Sequence, residues 1–123
     1  MGLYPKYEAL LSTNGTWFEL RCDRGLTVGL ATAKVYEDVC RVDGFTHALC
    51  ADAWADLIET ACCWGSERGG GVCEAVVCVE DEEKRAAFEG LDFSVTDEGP
   101  KMNIAGRPVA SSILRRAVRW VRQ

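Results

Sequence analysis

Apolar and polar positions recur along this chain with two different periods, which separate predicted helices from predicted strands. The clearest helical period covers 47–64, where apolar side chains return every three or four residues. Thr46 stands before this run as an N-cap, and Gly65 follows it as a C-terminal cap. The pattern predicts a long helix with one face in the core. Its apolar stripe consists of Leu49, Cys50, Ala53, Trp54, Leu57, Ile58, Ala61 and Cys62.

Short runs rich in β-branched and aromatic residues predict strands. Residues 17–22 and 26–30 flank a short Asp-Arg-Gly turn, so we predict a hairpin there. Residues 72–79 follow three glycines and are predicted to form a central strand. Residues 91–96 alternate apolar with polar side chains, as a half-buried strand does, and 102–105 are predicted to pair back after a turn.

Four further segments carry helical spacing or helix-end residues. Residues 4–11 precede a Ser-Thr-Asn-Gly stop, and 80–89 open with four acidic side chains that favour a helix N-terminus. Residues 32–42 place apolar side chains at helical spacing and end at an Asp-Gly pair. A final helix is predicted from Pro108. Its inner face would hold Ile113, Ala117, Trp120 and Val121, and its outer face Arg115, Arg116, Arg119 and Arg122.

The predicted elements follow the order helix, two strands, two helices, strand, short helix, two strands, helix. This order lacks the regular strand and helix alternation of a parallel doubly wound sheet. A chain of 123 residues can bury one core, and no repeat or linker divides it. We therefore predict a single α+β domain over 1–123, with an antiparallel or mixed sheet of about five strands packed against helices.

Composition and the N-terminal residues bear on the compartment. Hydrophobic residues make up 48% of the chain, a globular value. The N-terminal residues lack a secretion signal, and no apolar run approaches the roughly 18 residues of a membrane span, so we expect a cytoplasmic protein with no membrane contact. The seven cysteines, an odd number, are then expected as free thiols. Cys62, Cys73 and Cys78 lie in apolar patterns and are predicted to pack in the core.

Charge is distributed unevenly along the chain. Residues 1–100 hold all 19 acidic side chains and only eight of the 14 basic ones, whereas 101–123 hold six basic side chains. An acidic body repels phosphate, so direct binding of nucleic acid is not expected. We expect the arginines near the C-terminus to meet the acidic body or a protein partner.

One set of residues is the candidate for metal or thiol chemistry: Cys40, His47, Cys50, Cys62 and Cys63. Zinc takes thiolate and imidazole ligands, and the single histidine, His47, lies one predicted helical turn before Cys50. His47 would also have to activate any nucleophilic thiol. The set lacks the close Cys-x2-4-Cys pair of structural zinc sites, so we expect no metal and no cofactor. A zinc- or thiol-dependent regulator or enzyme centred on His47 is the alternative.

Acidic side chains cluster on two predicted helices. Those on 47–64 lie opposite the apolar stripe, and those on 80–89 open the next helix. An acidic stripe on a rigid helix can occupy a basic surface made for phosphates, so we predict that both clusters contact a protein partner. The predicted contact residues are Asp52, Asp56, Glu59, Glu80, Asp81, Glu82 and Glu83. No catalytic residue is predicted.

A short acidic domain without a catalytic constellation resembles the small inhibitor proteins of phages and mobile elements, including anti-CRISPR proteins. The resemblance implies a non-enzymatic inhibitor or adaptor that binds a nucleic-acid-handling protein and blocks its nucleic-acid site. A second alternative is a subunit of a larger assembly, in which an exposed tryptophan anchors the interface. The tryptophans considered for that role are Trp17, Trp64 and Trp120.

Overall fold

A computed structural model describes residues 2–6, 15–21, 24, 26–46 and 51–117. Within these ranges the chain forms strands and helices with the following bounds. The strands are β1 (Gly2–Lys6), β2 (Gly15–Arg21), β3 (Thr27–Tyr36), β4 (Val39–Thr46), β5 (Val72–Cys78), β6 (Ser94–Glu98), β7 (Met102–Ile104), β8 (Arg107–Val109) and β9 (Ser111–Ala117), and the helices are α1 (Ala51–Ser66) and α2 (Glu82–Glu89). Neither of these two helices has the length and apolar character needed to cross a bilayer.

The larger sheet has seven strands in the order β1-β2-β3-β4-β5-β9-β6, and β7 pairs with β8 in a separate hairpin. Neighbouring strands of the larger sheet are antiparallel except β4 and β5, which are parallel and are joined through α1. The predicted α+β class with a mixed sheet is therefore confirmed, although the larger sheet has seven strands where about five are predicted. The hairpin of β2 and β3, the central strand β5 and both described helices lie where the sequence pattern predicts them.

The helix predicted over 32–42 is wrong, because these residues belong to an antiparallel hairpin of β3 and β4. Two residues connect the strands, and one of them, Glu37, has a φ of 54°. The connection lacks the Asn-Gly or Asp-Gly pair that marks such turns, and the apolar residues on either side of it happen to fall at helical spacing. The side chains that alternate into the core are Ala31, Ala33, Val35, Cys40 and Val42.

The final helix predicted from Pro108 is also wrong, because the chain there forms β8 and then β9. Leu114 and Arg116 are buried on one face of β9, while Arg115 lies on the other. Neighbouring side chains of a strand point to opposite faces, so arginines predicted on a single helix surface are divided between two. The helix predicted over 4–11 is replaced by β1 at its start, and 7–11 and the tail from 118 lie outside the described residues.

Helix α1 packs across the face of the sheet formed by β2, β3, β4 and β5. The described part of its predicted apolar stripe is buried, namely Trp54, Leu57, Ile58, Ala61 and Cys62. The sheet meets the helix with small side chains, which let the two layers lie close together. Ala31, Ala33, Cys40, Cys73 and Ala75 are each no more than 1% exposed.

Helix α2 is joined to α1 by aromatic contacts. The rings of Trp54 and Phe88 meet edge to face with centroids 4.8 Å apart, and Phe88 meets Phe93 in the same way at 5.1 Å. Asp81 caps α2, since its side chain accepts a hydrogen bond from the backbone N–H of Lys84. Both helices therefore share one core with the sheet.

The described cysteines are free thiols, as predicted. Cys62 and Cys73 are fully buried in the core, and Cys78 is half-buried at the end of β5. Cys40 is also fully buried, beneath α1. Cys22 and Cys50 lie outside the described residues.

Gly65 was predicted to cap α1 but lies inside it, because the helix continues to Ser66. A Cβ at this position would lie 2.2 Å from Sγ of Cys40 and 2.6 Å from its Cβ. Contacts that short do not occur between real atoms, so only glycine lets α1 approach β4 here.

We expect Gly65→Ala to lower the free energy of unfolding by about 2 kcal/mol, because the added methyl overpacks the contact with Cys40. Urea denaturation followed by circular dichroism measures the change. Gly71→Ala is the matched control, since a Cβ there would meet only the Asp38 carbonyl oxygen at 3.6 Å. The control should stay within about 1 kcal/mol of wild type. Equal unfolding midpoints for Gly65→Ala and wild type would contradict the packing argument.

Candidate functional site

Strands β4 and β5 separate after a short stretch of pairing. Only Val39 with Val72, Cys40 with Cys73, and Arg41 with Glu74 are in register, although β4 continues to Thr46 and β5 to Cys78. Beyond the third pair, the facing backbone amides and carbonyls have no partner strand among the residues that the structure describes. The backbone N–H and C=O groups along an unpaired strand edge form strong hydrogen bonds. An extended ligand can therefore bind in this opening.

An open groove of about 150 Å³ lies beside this opening. On β3 and β4 it is formed by Leu30, Thr32 and Asp43, whose register places them opposite the face that α1 covers, and by the backbone of Gly44. Lys84 of α2 completes the lining. The groove therefore lies between β4 and α2, the helix that follows β5.

An ion pair crosses from one side of the opening to the other. Lys84 Nζ donates a hydrogen bond to Oδ1 of Asp43 at 2.8 Å, and the backbone N–H of Gly44 donates to the same oxygen at 2.8 Å. The side chain of Asp43 is 58% exposed and that of Lys84 28%. A pair this exposed adds little to stability, about 0–1 kcal/mol, so both groups remain available for chemistry in the groove.

The closed end of the opening is held by Glu74, whose side chain is only 3% exposed. Its carboxylate accepts hydrogen bonds from Tyr36 Oη at 2.8 Å, from Arg41 Nε at 3.0 Å and from Arg115 Nε at 2.9 Å. Burial alone would raise the pKa of Glu74, but the hydrogen bonds from Arg41, Tyr36 and Arg115 outweigh burial and lower it. A carboxylate that is so fully engaged is a structural anchor and a poor base.

On the α1 side of the same strand pair, three buried thiols meet. Cys40 and Cys73 are register partners, and Cys62 of α1 is buried in the same core cluster. Burial raises the pKa of Cys40 to about 12, with a further contribution from Cys73. The neighbouring thiol of Cys62 lowers the pKa of Cys73 despite its burial, and the nearby Arg116 adds to this effect. All three thiols are shielded from the groove, so we assign them to packing.

The residues considered as zinc ligands do not form a site in the part of the chain that the structure describes. No group of three or more His, Cys, Asp or Glu side chains there is arranged to hold a metal ion. Cys40 and Cys62 are buried in the core, while Cys63 is half-buried on α1. His47 and Cys50 lie outside the described residues.

Several of the predicted acidic contact residues have partners within the chain. Glu59 pairs with Arg116, and Glu80 forms a two-pronged ion pair with Arg107 at 2.8 and 3.0 Å. Asp81 caps α2. Asp56, Glu82 and Glu83 are exposed, and Asp52 belongs to α1 but its side chain is outside the described part. Whether these residues contact a partner stays a prediction.

The predicted pairing of arginines with the acidic body is confirmed for Arg115 and Arg116.

Sequence reasoning missed the groove residues Asp43 and Lys84 altogether. Asp43 was read as the end of a helix, and Lys84, in an acidic run, was given no role. They are 41 positions apart, and no local pattern relates them. For Glu74, in contrast, the sequence does contain a signal. It lies within a β-branched run that predicts a central strand, and a carboxylate buried in such a strand requires a partner.

No family model and no curated protein matches the sequence. Solved structures do match by fold. A probable acetyltransferase from Staphylococcus epidermidis superposes with a TM-score of 0.75 at 12% identity, over 85% of this chain and 68% of that protein. A GNAT superfamily phosphinothricin acetyltransferase from Sinorhizobium meliloti, in complex with AcCoA, gives 0.69 at 14% identity, over 85% and 61%. A spermidine/spermine N-acetyltransferase from Vibrio cholerae gives 0.73 at 14% identity, over 88% and 68%.

The chain has the fold of the GNAT acetyltransferases. It spans between 61% and 68% of the length of those three proteins. The GNAT fold contradicts the resemblance to anti-CRISPR inhibitors and, with it, the expectation of a non-enzymatic inhibitor or adaptor, because the matching proteins are enzymes. Size and net charge are shared by many unrelated domains, which is why they misled.

We expect Glu74→Gln to lower the free energy of unfolding at neutral pH by about 3 kcal/mol, because it leaves two guanidinium groups facing a neutral amide. Since the folded-state pKa of Glu74 is lowered, its contribution is complete above the unfolded-state value and is lost as pH falls. The difference between variant and wild type should therefore shrink below about pH 4. Urea titrations between pH 3 and pH 7 measure it.

The matched control for Glu74→Gln is Glu98→Gln, since Glu98 is exposed on β6. Its effect should stay within about 0.5 kcal/mol. A gap between Glu74→Gln and wild type that does not change with pH would show that the ionised carboxylate is not the source of the stability.

Proposed function

We propose that this chain is an acyltransferase that binds an acyl thioester in the opening between β4 and β5 and passes the acyl group to an amine. The observation that carries the proposal is the parting of the two parallel strands after Arg41 and Glu74. The GNAT fold supports it, since one matching protein was solved with AcCoA and another is a spermidine/spermine N-acetyltransferase.

The opening suits the acyl-pantetheine arm of coenzyme A. That arm is narrow and extended, and it carries two amide groups that can pair with strand edges as a short peptide would. The edges available for this are 42–46 of β4 and 75–78 of β5, which pair with no described strand across the opening. The thioester carbon would then lie near the groove that contains Asp43.

The diphosphate and nucleotide of coenzyme A find weaker support in this chain. Helix N-termini bind phosphate through their free N–H groups, and basic side chains usually add to that attraction. Between Arg41 and Arg68 the sequence contains no lysine or arginine, and Asp52 is the second residue of α1 as described. We therefore place most of the donor recognition on the acyl-pantetheine arm.

Asp43 is our candidate for the general base. Acyl transfer forms a nitrogen–carbon bond, breaks the carbon–sulfur bond and requires that the attacking amine lose a proton. Asp43 lines the groove and is more than half exposed, unlike Glu74. Its carboxylate takes the proton from the amine, and the departing sulfur takes up a proton from solvent. A carboxylate in this position would also attract the cationic form of an acceptor amine.

We expect Asp43→Asn to reduce kcat/KM for amine acylation by about a hundredfold, because a positioned base is lost while an exposed ion pair contributes little to folding. Liquid chromatography with mass spectrometry of the N-acetyl product measures the rate and avoids interference from the chain's own thiols. The amines tested are a polyamine, free amino acids and peptides with a free N-terminus.

Asp56→Asn is the control for that series, because Asp56 is exposed on α1 and does not line the groove. It should leave the rate unchanged. Full activity in Asp43→Asn would remove Asp43 as the base. Failure of wild-type protein to bind acetyl-CoA in calorimetry would overturn the proposed function itself.

We also expect acetyl-pantetheine to bind with a Kd within about fivefold of that for acetyl-CoA, a difference of only about 1 kcal/mol. The reason is the lack of lysine and arginine between Arg41 and Arg68. The affinity for acetyl-CoA should accordingly depend little on salt, which screens charge–charge attraction. Calorimetry with both donors at two salt concentrations measures this. A hundredfold weaker affinity for acetyl-pantetheine would show that the diphosphate is recognised.

A further inference from the structure

The groove beside the β4–β5 opening already contains a primary amine. Lys84 lines it together with Asp43, and its Nζ lies 2.8 Å from the carboxylate oxygen of Asp43. A thioester bound in the opening would present its carbonyl carbon to this groove. The chain therefore places an amine and a carboxylate beside the opening in which we propose that the donor binds.

We propose that Lys84 is acylated by the chain's own bound donor, so that the protein modifies itself at this position. The proposal rests on the proposed function, because it requires an acyl thioester in the β4–β5 opening. Lys84 then takes the place that an external amine occupies in the transfer reaction.

The step balances without any further reactant. The Lys84 ammonium group of the ion pair cannot attack until it loses a proton, which Asp43 accepts through their hydrogen bond. The freed Nζ attacks the thioester carbonyl carbon, a nitrogen–carbon bond forms and the carbon–sulfur bond breaks. Nζ loses its second proton to solvent, and the departing thiolate takes up one proton to become a thiol.

Proximity distinguishes Lys84 from the other lysines of the chain, which are Lys6, Lys34 and Lys101. Lys34 and Lys101 are exposed, and neither lines the groove. An amine held beside a bound thioester reacts as part of one complex, whereas exposed lysines depend on collision with free donor. Acylation should therefore be selective for Lys84 and should saturate with donor concentration.

The amide product has no charge and cannot maintain the ion pair with Asp43. Self-acylation thus removes the ion pair that links α2 to β4 in the unmodified chain. It also frees the carboxylate of Asp43 within the groove.

The test is incubation of the full chain with acetyl-CoA at neutral pH, followed by proteolysis and mass spectrometry of all lysine-containing peptides. We expect acetylation of Lys84 at least tenfold faster than of Lys34 or Lys101. The rate per molecule should not change with protein concentration, as an intramolecular reaction requires. Asp43→Asn should slow acetylation of Lys84 about a hundredfold, and Lys101→Arg, the matched control, should leave it unchanged.

Calorimetric titration with acetyl-CoA separates the two proposals. If acetyl-CoA binds and an external amine is acetylated while Lys84 reacts no faster than Lys34, self-acylation is wrong and the proposed function stands. If acetyl-CoA does not bind, both fail. Acetylation of Lys84 that rises with protein concentration, or that is unaffected in Asp43→Asn, would likewise overturn the self-acylation proposal.

Discussion

The ion pair of Arg41 and Glu74 stands at the last register pair of β4 and β5, and the shape of the site depends on it. Up to that point the strands exchange backbone hydrogen bonds, and beyond it they part. On one face Glu74 is bound by Arg41, Arg115 and Tyr36, and on the other Cys40 and Cys73 pack beneath α1. Side chains on both faces of the sheet therefore hold β4 and β5 together at the closed end of the opening. The strands can part beyond this point without loosening the sheet.

Several charged side chains are paired within the molecule. Strand β9 sends Arg115 to Glu74 and Asp97 on one face, and Arg116 to Glu59 on the other. Arg115 and Arg116 thus pair with acidic side chains on the two faces of the sheet as alternating residues of a single strand. The acidic side chains suggested an inhibitor of nucleic-acid-handling proteins. Some of them instead form ion pairs that hold the sheet and the helices together.

The ion pair in the groove is exposed, whereas the carboxylate of Glu74 at the closed end of the opening is buried. That pair, Lys84 with Asp43, is exposed enough to break at small cost, and it connects an element before the opening to one after it. Buried thiols lie on the far side of the sheet and take no part. Among the described residues, a reaction at this site would accordingly rely on the carboxylate of Asp43 and on an amine.

The sequence by itself determined the α+β class, the long helix α1, the central strand β5 and the burial of Cys62 and Cys73, because each follows from a local apolar period. It could not determine the hairpin of β3 and β4 or the strand β9, where short strands and a turn without glycine imitate helical spacing. Only the tertiary structure decided that Asp43 and Lys84 meet and that β4 parts from β5. Those features arise between segments far apart in the chain, where no local periodicity records which side chains will become neighbours.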